Sequence, residues 1–263
     1  MKPFFAPLGE AHTTPDILRW KDDRTIVTLY YRSGVVNWDL DGVVSDRVKF
    51  FESDTYLSAS TLSHDCRSVA AWQQIPSDWR NKLLEGRLLI NGGGAPPETV
   101  RASASQYLTD GLAPGSMDFS PDGAFILSAG SRYVDPSWDN YVTLWNAATM
   151  QEIYTRIIDP YGADTHHIRI RFSPDGTRFV TIHEDCLRLW DTASGDPIRT
   201  FPNQSGPRYP SRHAVFSPDG RFIAVDMDHD IRIFNADTGE MREILGAETA
   251  GQDYWITSHI HTQ

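Results

Sequence analysis

FSPDGTRFVTIHEDCLRLWD, residues 172–191, decides the fold. Its opening pentapeptide occurs three times, at Phe119 to Gly123, Phe172 to Gly176 and Phe216 to Gly220. Each copy runs into strand-like sequence ending in LWN, LWD or IFN. Pro presets φ, Asp bonds back to nearby backbone and Gly accepts a positive φ, so Pro-Asp-Gly reads as a tight corner between two β-runs. Hairpin corners that recur along a chain mark a repeat array.

Two weaker copies emerge once the pattern is known: WKDDRTIV from Trp20 and LSHDCRSV from Leu62. The five anchors Trp20, Leu62, Phe119, Phe172 and Phe216 then stand about 40–60 residues apart, a spacing that suits four-stranded propeller blades. VVNWD (Val35 to Asp39), VTLWN (Val142 to Asn146), LRLWD (Leu187 to Asp191) and IRIFN (Ile231 to Asn235) recur, one in each of four repeats. DTASGDPI and NADTGEM follow two of them with a Ser-Gly or Thr-Gly turn.

On these residues the chain resembles the WD-repeat β-propeller family over residues 15–246. The resemblance implies an all-β propeller of about five four-stranded antiparallel blades, with Trp38, Trp145, Trp190 and Phe234 buried between blades. The repeats fall at about 15–52, 53–101, 106–158, 165–201 and 209–246, making one domain over 1–263. Departures from the family pattern are specific. Its Gly-His dipeptide is missing from every repeat, Gly162 being followed by Ala163 and Gly206 by Pro207, so the family's buried His-Ser/Thr-Asp-Trp network is expected to be incomplete. The Asp of that network stands at Asp139 and Asp228, with Glu184 in its place in the fourth repeat. The tail Asp253 to Gln263 reads as the first strand of a further repeat, either the start of more blades or a closing strand.

A net charge of −11 gives no basic footprint for a nucleic-acid backbone or an anionic membrane. Cys66 and Cys186 lie in different repeats and form neither a disulfide framework nor a metal-ligand spacing. No apolar run approaches the roughly 18 residues of a membrane span, and MKPFFAPLGE lacks the apolar stretch of a signal peptide. The expectation is an intracellular protein, cytoplasmic or nuclear, without a cofactor.

The interval from anchor to third-strand aromatic is the same in repeats one, four and five. It is longer in repeat three (Phe119 to Trp145) and in repeat two, where Ile90 is taken as the Trp equivalent. Insertions are therefore expected as loops between the second and third strands, in SRYVDPSWDN (Ser131 to Asn140) and QQIPSDWRNKLLEG (Gln73 to Gly86). In the resembled family such loops share a rim with the connections between blades. Here those connections are long as well, at 92–115, 159–167 and 202–212. Variable loops on a rigid scaffold carry function. The expected partner site is this rim, with Trp79, Arg80, Tyr133, Trp138, Tyr161, Arg208 and Tyr209, residue types that dominate interface hot spots. The alternative is that these side chains cap their own loops.

Catalytic and metal signatures are weak. The adjacent His166 and His167 point to opposite faces of an extended strand. His183, Glu184 and Asp185 read as a hairpin turn, and His259 and His261 lack a carboxylate or thiolate companion. Gly92 to Gly94 lack the Lys-Ser/Thr of a phosphate loop, and no Gly-x-Ser-x-Gly elbow occurs. The sequence thus points to a non-enzymatic scaffold that binds a protein or peptide, with self-association or further blades at open propeller edges. The competing class is a propeller hydrolase, or an accessory propeller of a peptidase or other multidomain enzyme. An enzyme of that kind would converge His, Asp, Glu or metal ligands from several blades on the axis.

Overall fold

The computed structural model describes residues 17–30, 34–41, 43–48, 57–75, 84–92, 101–102, 107–109, 114–134, 137–162, 168–183, 186–202, 213–227 and 230–246. These form five antiparallel sheets, the blades of a β-propeller, and no helix. Blade 1 comprises β1 (Ile17–Trp20), β2 (Thr25–Tyr30), β3 (Gly34–Asp39) and β4 (Val44–Val48). Blade 2 has β5 (Leu57–Leu62), β6 (Ser68–Ile75) and β7 (Leu84–Gly92), completed by β8 (Arg101–Ala102) and β9 (Tyr107–Thr109). Blade 3 has β10 (Ser116–Phe119), β11 (Phe125–Val134), β12 (Ser137–Asn146) and β13 (Glu152–Gly162). Blade 4 has β14 (Arg169–Phe172), β15 (Arg178–Ile182), β16 (Cys186–Asp191) and β17 (Pro197–Pro202). Blade 5 has β18 (Ala214–Phe216), β19 (Phe222–Met227), β20 (Asp230–Asn235) and β21 (Met241–Gly246).

The repeated turn is held by its serine. Ser120 Oγ donates to Asp122 Oδ1 at 2.6 Å and accepts the Phe125 N–H at 2.9 Å, while Asp122 Oδ1 accepts the Ala124 N–H at 3.0 Å. Ser173 with Asp175 and Ser217 with Asp219 repeat the device. So does Ser63 with Asp65, at 2.6 Å, which makes the weak copy at Leu62 the same turn. Gly123, Gly176 and Gly220 close the three strong copies at φ 72, 72 and 69°. Cys66 takes the glycine place in the second repeat at φ 58°, in the left-handed region that L side chains rarely occupy.

Alternating strand residues feed two faces of each blade, so the core consists of clusters between neighbouring blades. Val27 and Leu29 meet Leu62 and Val69 between blades 1 and 2. Trp72, Leu88 and Ile90 meet Phe119, Ile126 and Trp145 between blades 2 and 3, with the Trp72 and Trp145 rings 5.8 Å apart. Leu127, Val142 and Leu144 meet Ile170, Phe179 and Trp190 between blades 3 and 4, and Val180, Leu187 and Phe201 meet Phe216, Ile223 and Phe234 between blades 4 and 5. Trp38, Trp145, Trp190 and Phe234 are all buried. Among the described residues no core cluster joins blade 5 to blade 1. The anchor Trp20 is accordingly 43% exposed, while Phe119 is 1% exposed.

The register corrects one equivalence. In blades 1, 3, 4 and 5 the anchor pairs with the residue that pairs with the aromatic, as in Phe172↔Phe179↔Trp190. In blade 2 the corresponding chain is Leu62↔Val69↔Asn91, so Asn91, not Ile90, holds the Trp position. Ile90 is one residue away and therefore packs on the opposite face, toward blade 3.

His183 flanks the hairpin turn, its N–H donating to the Cys186 carbonyl at 2.8 Å, and its side chain has a further partner. Trp190 Nε1 donates to Thr181 Oγ1 at 2.9 Å, and His183 Nε2 lies 2.8 Å from the same oxygen, with His183 only 4% exposed. Strand alternation places residues 181 and 183 on one face, so the imidazole joins the buried network from its own hairpin. Trp38 with Thr28 at 2.8 Å and Trp145 with Ser128 at 3.0 Å keep the indole-to-hydroxyl part of that network. Glu184, Asp185 and Asp228 lie outside the described residues, as does the tail 253–263.

Candidate interaction site

The insertion in the third repeat is a ribbon rather than a loop. In blade 4 the hairpin pairing ends at Ile182↔Leu187. In blade 3 the equivalent pair is Ala129↔Val142, and pairing continues through Gly130↔Tyr141, Ser131↔Asn140, Arg132↔Asp139, Tyr133↔Trp138 and Val134↔Ser137. Strand β13 follows alongside to Gly162, so what reads in sequence as the connection from 159 begins as strand. The ribbon persists because its interior polar groups pair. Ser131 Oγ donates to Asn140 Oδ1 at 2.6 Å, and Ser131 and Asn140 are 3% and 0% exposed. Register shifts at Trp138/Asp139 and Asn140/Tyr141 mark bulges, which increase twist and re-aim the strand.

Of the rim residues expected from sequence, Tyr133 and Trp138 are therefore direct cross-strand partners near the ribbon tip, and Tyr161 falls at the bulge opposite Trp138 and Asp139. Trp79, Arg80, Arg208 and Tyr209 lie outside the described residues, as do His166, His167, His259, His261, Gly93 and Gly94. In blade 2 the connection from Gly92 contains β8 and β9. Both pair with β7, β8 at Leu89 and Ile90 and β9 at Leu84 to Gly86, so its fourth strand is interrupted.

The axis holds residues that the sequence reading did not single out. The residue before each anchor occupies one register position: Arg19↔Val27, Thr61↔Ala70, Asp118↔Leu127, Arg171↔Val180 and Val215↔Ala224. Arg19 Nη2 of blade 1 lies 3.6 Å from Asp118 Oδ1 of blade 3, across the interior past blade 2. Asp118 Oδ2 accepts the Phe172 N–H of blade 4 at 2.9 Å. First strands of the blades therefore surround the axis, and this ring lies just inside the mouth formed by the Ser-Pro-Asp-Gly turns. Burial lowers the Arg19 pKa, with Asp118 opposing and Arg171 reinforcing the shift. His64 stands where the three strong copies of the turn carry proline. Partial burial, then the charge of Arg19, holds its imidazole below the usual range. The signal was available in sequence as the position preceding each anchor, but it spells Arg, Thr, Asp, Arg, Val and matches no motif. Among the described residues no group of three or more His, Cys, Asp or Glu is placed to hold a metal ion.

The family model described as "WD domain, G-beta repeat" matches residues 112–146 and 195–235. The chain is similar to WD repeat-containing protein 82 of Drosophila melanogaster, 33% identical over 84 residues, covering 31% of this chain and 26% of that protein. It is also similar to the transcriptional corepressor LEUNIG_HOMOLOG of Arabidopsis thaliana, 27% identical over 155 residues, covering 57% of this chain and 17% of that protein. The matched region thus spans about a quarter or less of the length of these relatives.

Proposed function

We propose that this five-bladed β-propeller, matched by the WD-repeat family model over residues 112–146 and 195–235, is a non-enzymatic interaction scaffold that docks a protein or peptide on the rim bearing the blade 3 ribbon. The observation that carries the reading is the ribbon itself. Five residue pairs beyond the blade proper hold Tyr133 and Trp138 on paired strands, tied by a buried Ser131–Asn140 bond. A surface ordered before binding loses less entropy on docking than a free loop does. Aromatic residues at such a place supply anchors with few rotatable bonds. Trp79, Arg80, Tyr161, Arg208 and Tyr209 complete the proposed surface. Relatives named as a WD-repeat protein and a transcriptional corepressor favour a protein partner and an intracellular setting, cytoplasmic or nuclear. The competing hydrolase reading asks for a convergent axial set. The axial carboxylate here is engaged by Arg19 and the Phe172 N–H, an arrangement that holds charge in place rather than presenting a base to water.

The test sets binding against stability. Proteins captured on the wild-type chain are identified by crosslinking, and capture is repeated with Trp79→Ala/Trp138→Ala. We expect capture to be abolished with the melting temperature unchanged, since single hot-spot truncations cost about 2 kcal/mol or more of binding. Retained capture would remove the surface from consideration, and a large fall in melting temperature would show that these are packing residues.

A further inference from the structure

The axial mouth on the opposite side, among the Ser-Pro-Asp-Gly turns, carries one more cation than its internal ion pair answers. Arg19, Asp118 and Arg171 come from blades 1, 3 and 4 and share one register position around the axis. Asp118 is already engaged at both oxygens, by Arg19 Nη2 at 3.6 Å and by the Phe172 N–H at 2.9 Å. Its charge therefore answers Arg19 and leaves Arg171 in excess. Arg171 Nη1 donates to the Ile170 carbonyl at 2.9 Å, which satisfies one N–H of a five-donor group. On the same ring Thr61 is 1% exposed, and its Oγ1 is buried without a hydrogen-bond partner. A buried hydroxyl left in that state is unfavourable, and an incoming acceptor would give it a partner. His64 adds an imidazole at the mouth, with Asp65 and Cys66 in the same turn. All this sits in a chain of net charge −11.

We propose that this mouth binds one carboxylate group, gripped by the Arg171 guanidinium beside Arg19, with the Thr61 hydroxyl as a further donor. The net balance of two guanidiniums and one carboxylate is a single positive charge, which suits a monoanion. A phosphate dianion would bring a second negative charge against Asp118. The planar fork of arginine also matches a carboxylate with two parallel N–H···O bonds. The group is either the side chain of an acidic peptide segment or a small free carboxylate.

The experiment follows the His64 imidazole resonance of the full chain while four probes are titrated: acetate, a hexapeptide with one central Glu, its Gln twin, and inorganic phosphate. Acetate and the Glu peptide are expected to shift the resonance and to raise the His64 pKa, because an added negative charge offsets Arg19. The Gln twin is expected to do neither. Tighter binding of the Glu peptide than of acetate assigns a peptide source, and equal binding assigns a small carboxylate. Arg171→Gln should weaken both by about tenfold or more, the value of a hydrogen bond to a charged group, and Thr61→Val should weaken both to a lesser degree. Should Arg171→Gln fail to fold, Arg171→Lys keeps the charge without the fork and is expected to bind more weakly than wild type. The proposal is overturned by a response to phosphate in preference to carboxylate, by equal binding of the Gln twin, by no response at all, or by undiminished binding in a folded Arg171 variant.

Discussion

The turn residues show how similar letters carry different weight. Gly123 at φ 72° has open space where a Cβ would stand, so Gly123→Ala meets backbone strain alone, about 1–2 kcal/mol. Gly195 at φ 71° would place its Cβ 2.9 Å from the Tyr154 ring. That ring is buried and its hydroxyl donates to the Thr192 carbonyl at 2.9 Å, with burial pushing the phenol up to about 12. Gly195→Ala should therefore lower the urea midpoint clearly more than Gly123→Ala, and equal effects would deny the contact. The turn carboxylates set an acid limit. The Ser120 hydroxyl and the Ala124 N–H hold Asp122 below its ordinary 3.8, and the Ser217 hydroxyl and the Arg221 N–H do the same for Asp219. Burial opposes the shift at Asp65 and Asp175, where the Ser63 and Ser173 hydroxyls and the Arg67 and Thr177 N–H groups outweigh it. A depressed carboxyl stabilises the fold above its unfolded value, and that contribution is lost as pH falls through 3.8 toward the folded value. Urea midpoints measured from about pH 5 to 2 should fall accordingly. Ser120→Ala should flatten the slope, and an unchanged slope would sink the assignment.

At the scale of the element, the blade 3 ribbon departs most from the repeat. Its stability rests on Ser131 and Asn140, polar groups that would be costly in the interior without each other. Asn140→Ala should cost about 1–3 kcal/mol by stranding the serine hydroxyl. It should also weaken partner capture if the ribbon is the docking element. Hydrogen exchange at Arg132 to Val134 reads the outcome, and unaltered protection there would mean that the ribbon is held by something else. Blades 4 and 5 are joined at the turn side by a different device. Arg178 bonds Asp237 Oδ1 at 2.7 Å and the Gly220 carbonyl at 3.0 Å, and Arg199 bonds the Asp237 carbonyl at 2.8 Å.

Across the whole molecule, Asp118 touches three blades. It pairs with Arg19 of blade 1, stands on β10 of blade 3 and accepts the Phe172 N–H of blade 4. Asp118→Ala should cost about 1–3 kcal/mol, because it leaves the half-buried Arg19 guanidinium without its counter-charge and a buried backbone N–H unpaired. Denaturant unfolding would register this as a lower midpoint, and a shift within measurement error would mean that the axis relaxes freely. The outer face of blade 5 is the other feature at this scale. Val215, Phe222, Ala224, Ile231 and Ile233 are half-buried there, whereas Val180 and Leu189 on the matching face of blade 4 are fully covered by blade 5. The guanidiniums of Arg221 and Arg242 lie over the Phe222 ring, 5.7 and 5.2 Å from its centre, and shield part of that face.

FSPDG, the LWN and LWD strand ends and the spacing of the anchors were enough to determine five four-stranded blades and the burial of Trp38, Trp145, Trp190 and Phe234. Their physics is local: a turn needs a few adjacent residues, and strand alternation has a period of two. The same local reading misplaced Ile90 by one residue, because a long insertion leaves the register of β7 to its partner strand. It also treated Ser131 to Asn140 as a loop, since polar residues that pair across a hairpin look like loop residues until the pairing is known. The turn at His183 was legible, but the contact of its imidazole with the interior Thr181 hydroxyl was not. The axial set of Arg19, Thr61, Asp118 and Arg171 was decided only by the arrangement of the blades around an axis. Positions distant in the chain become neighbours there through tertiary packing, and no local pattern records which charges will face one another.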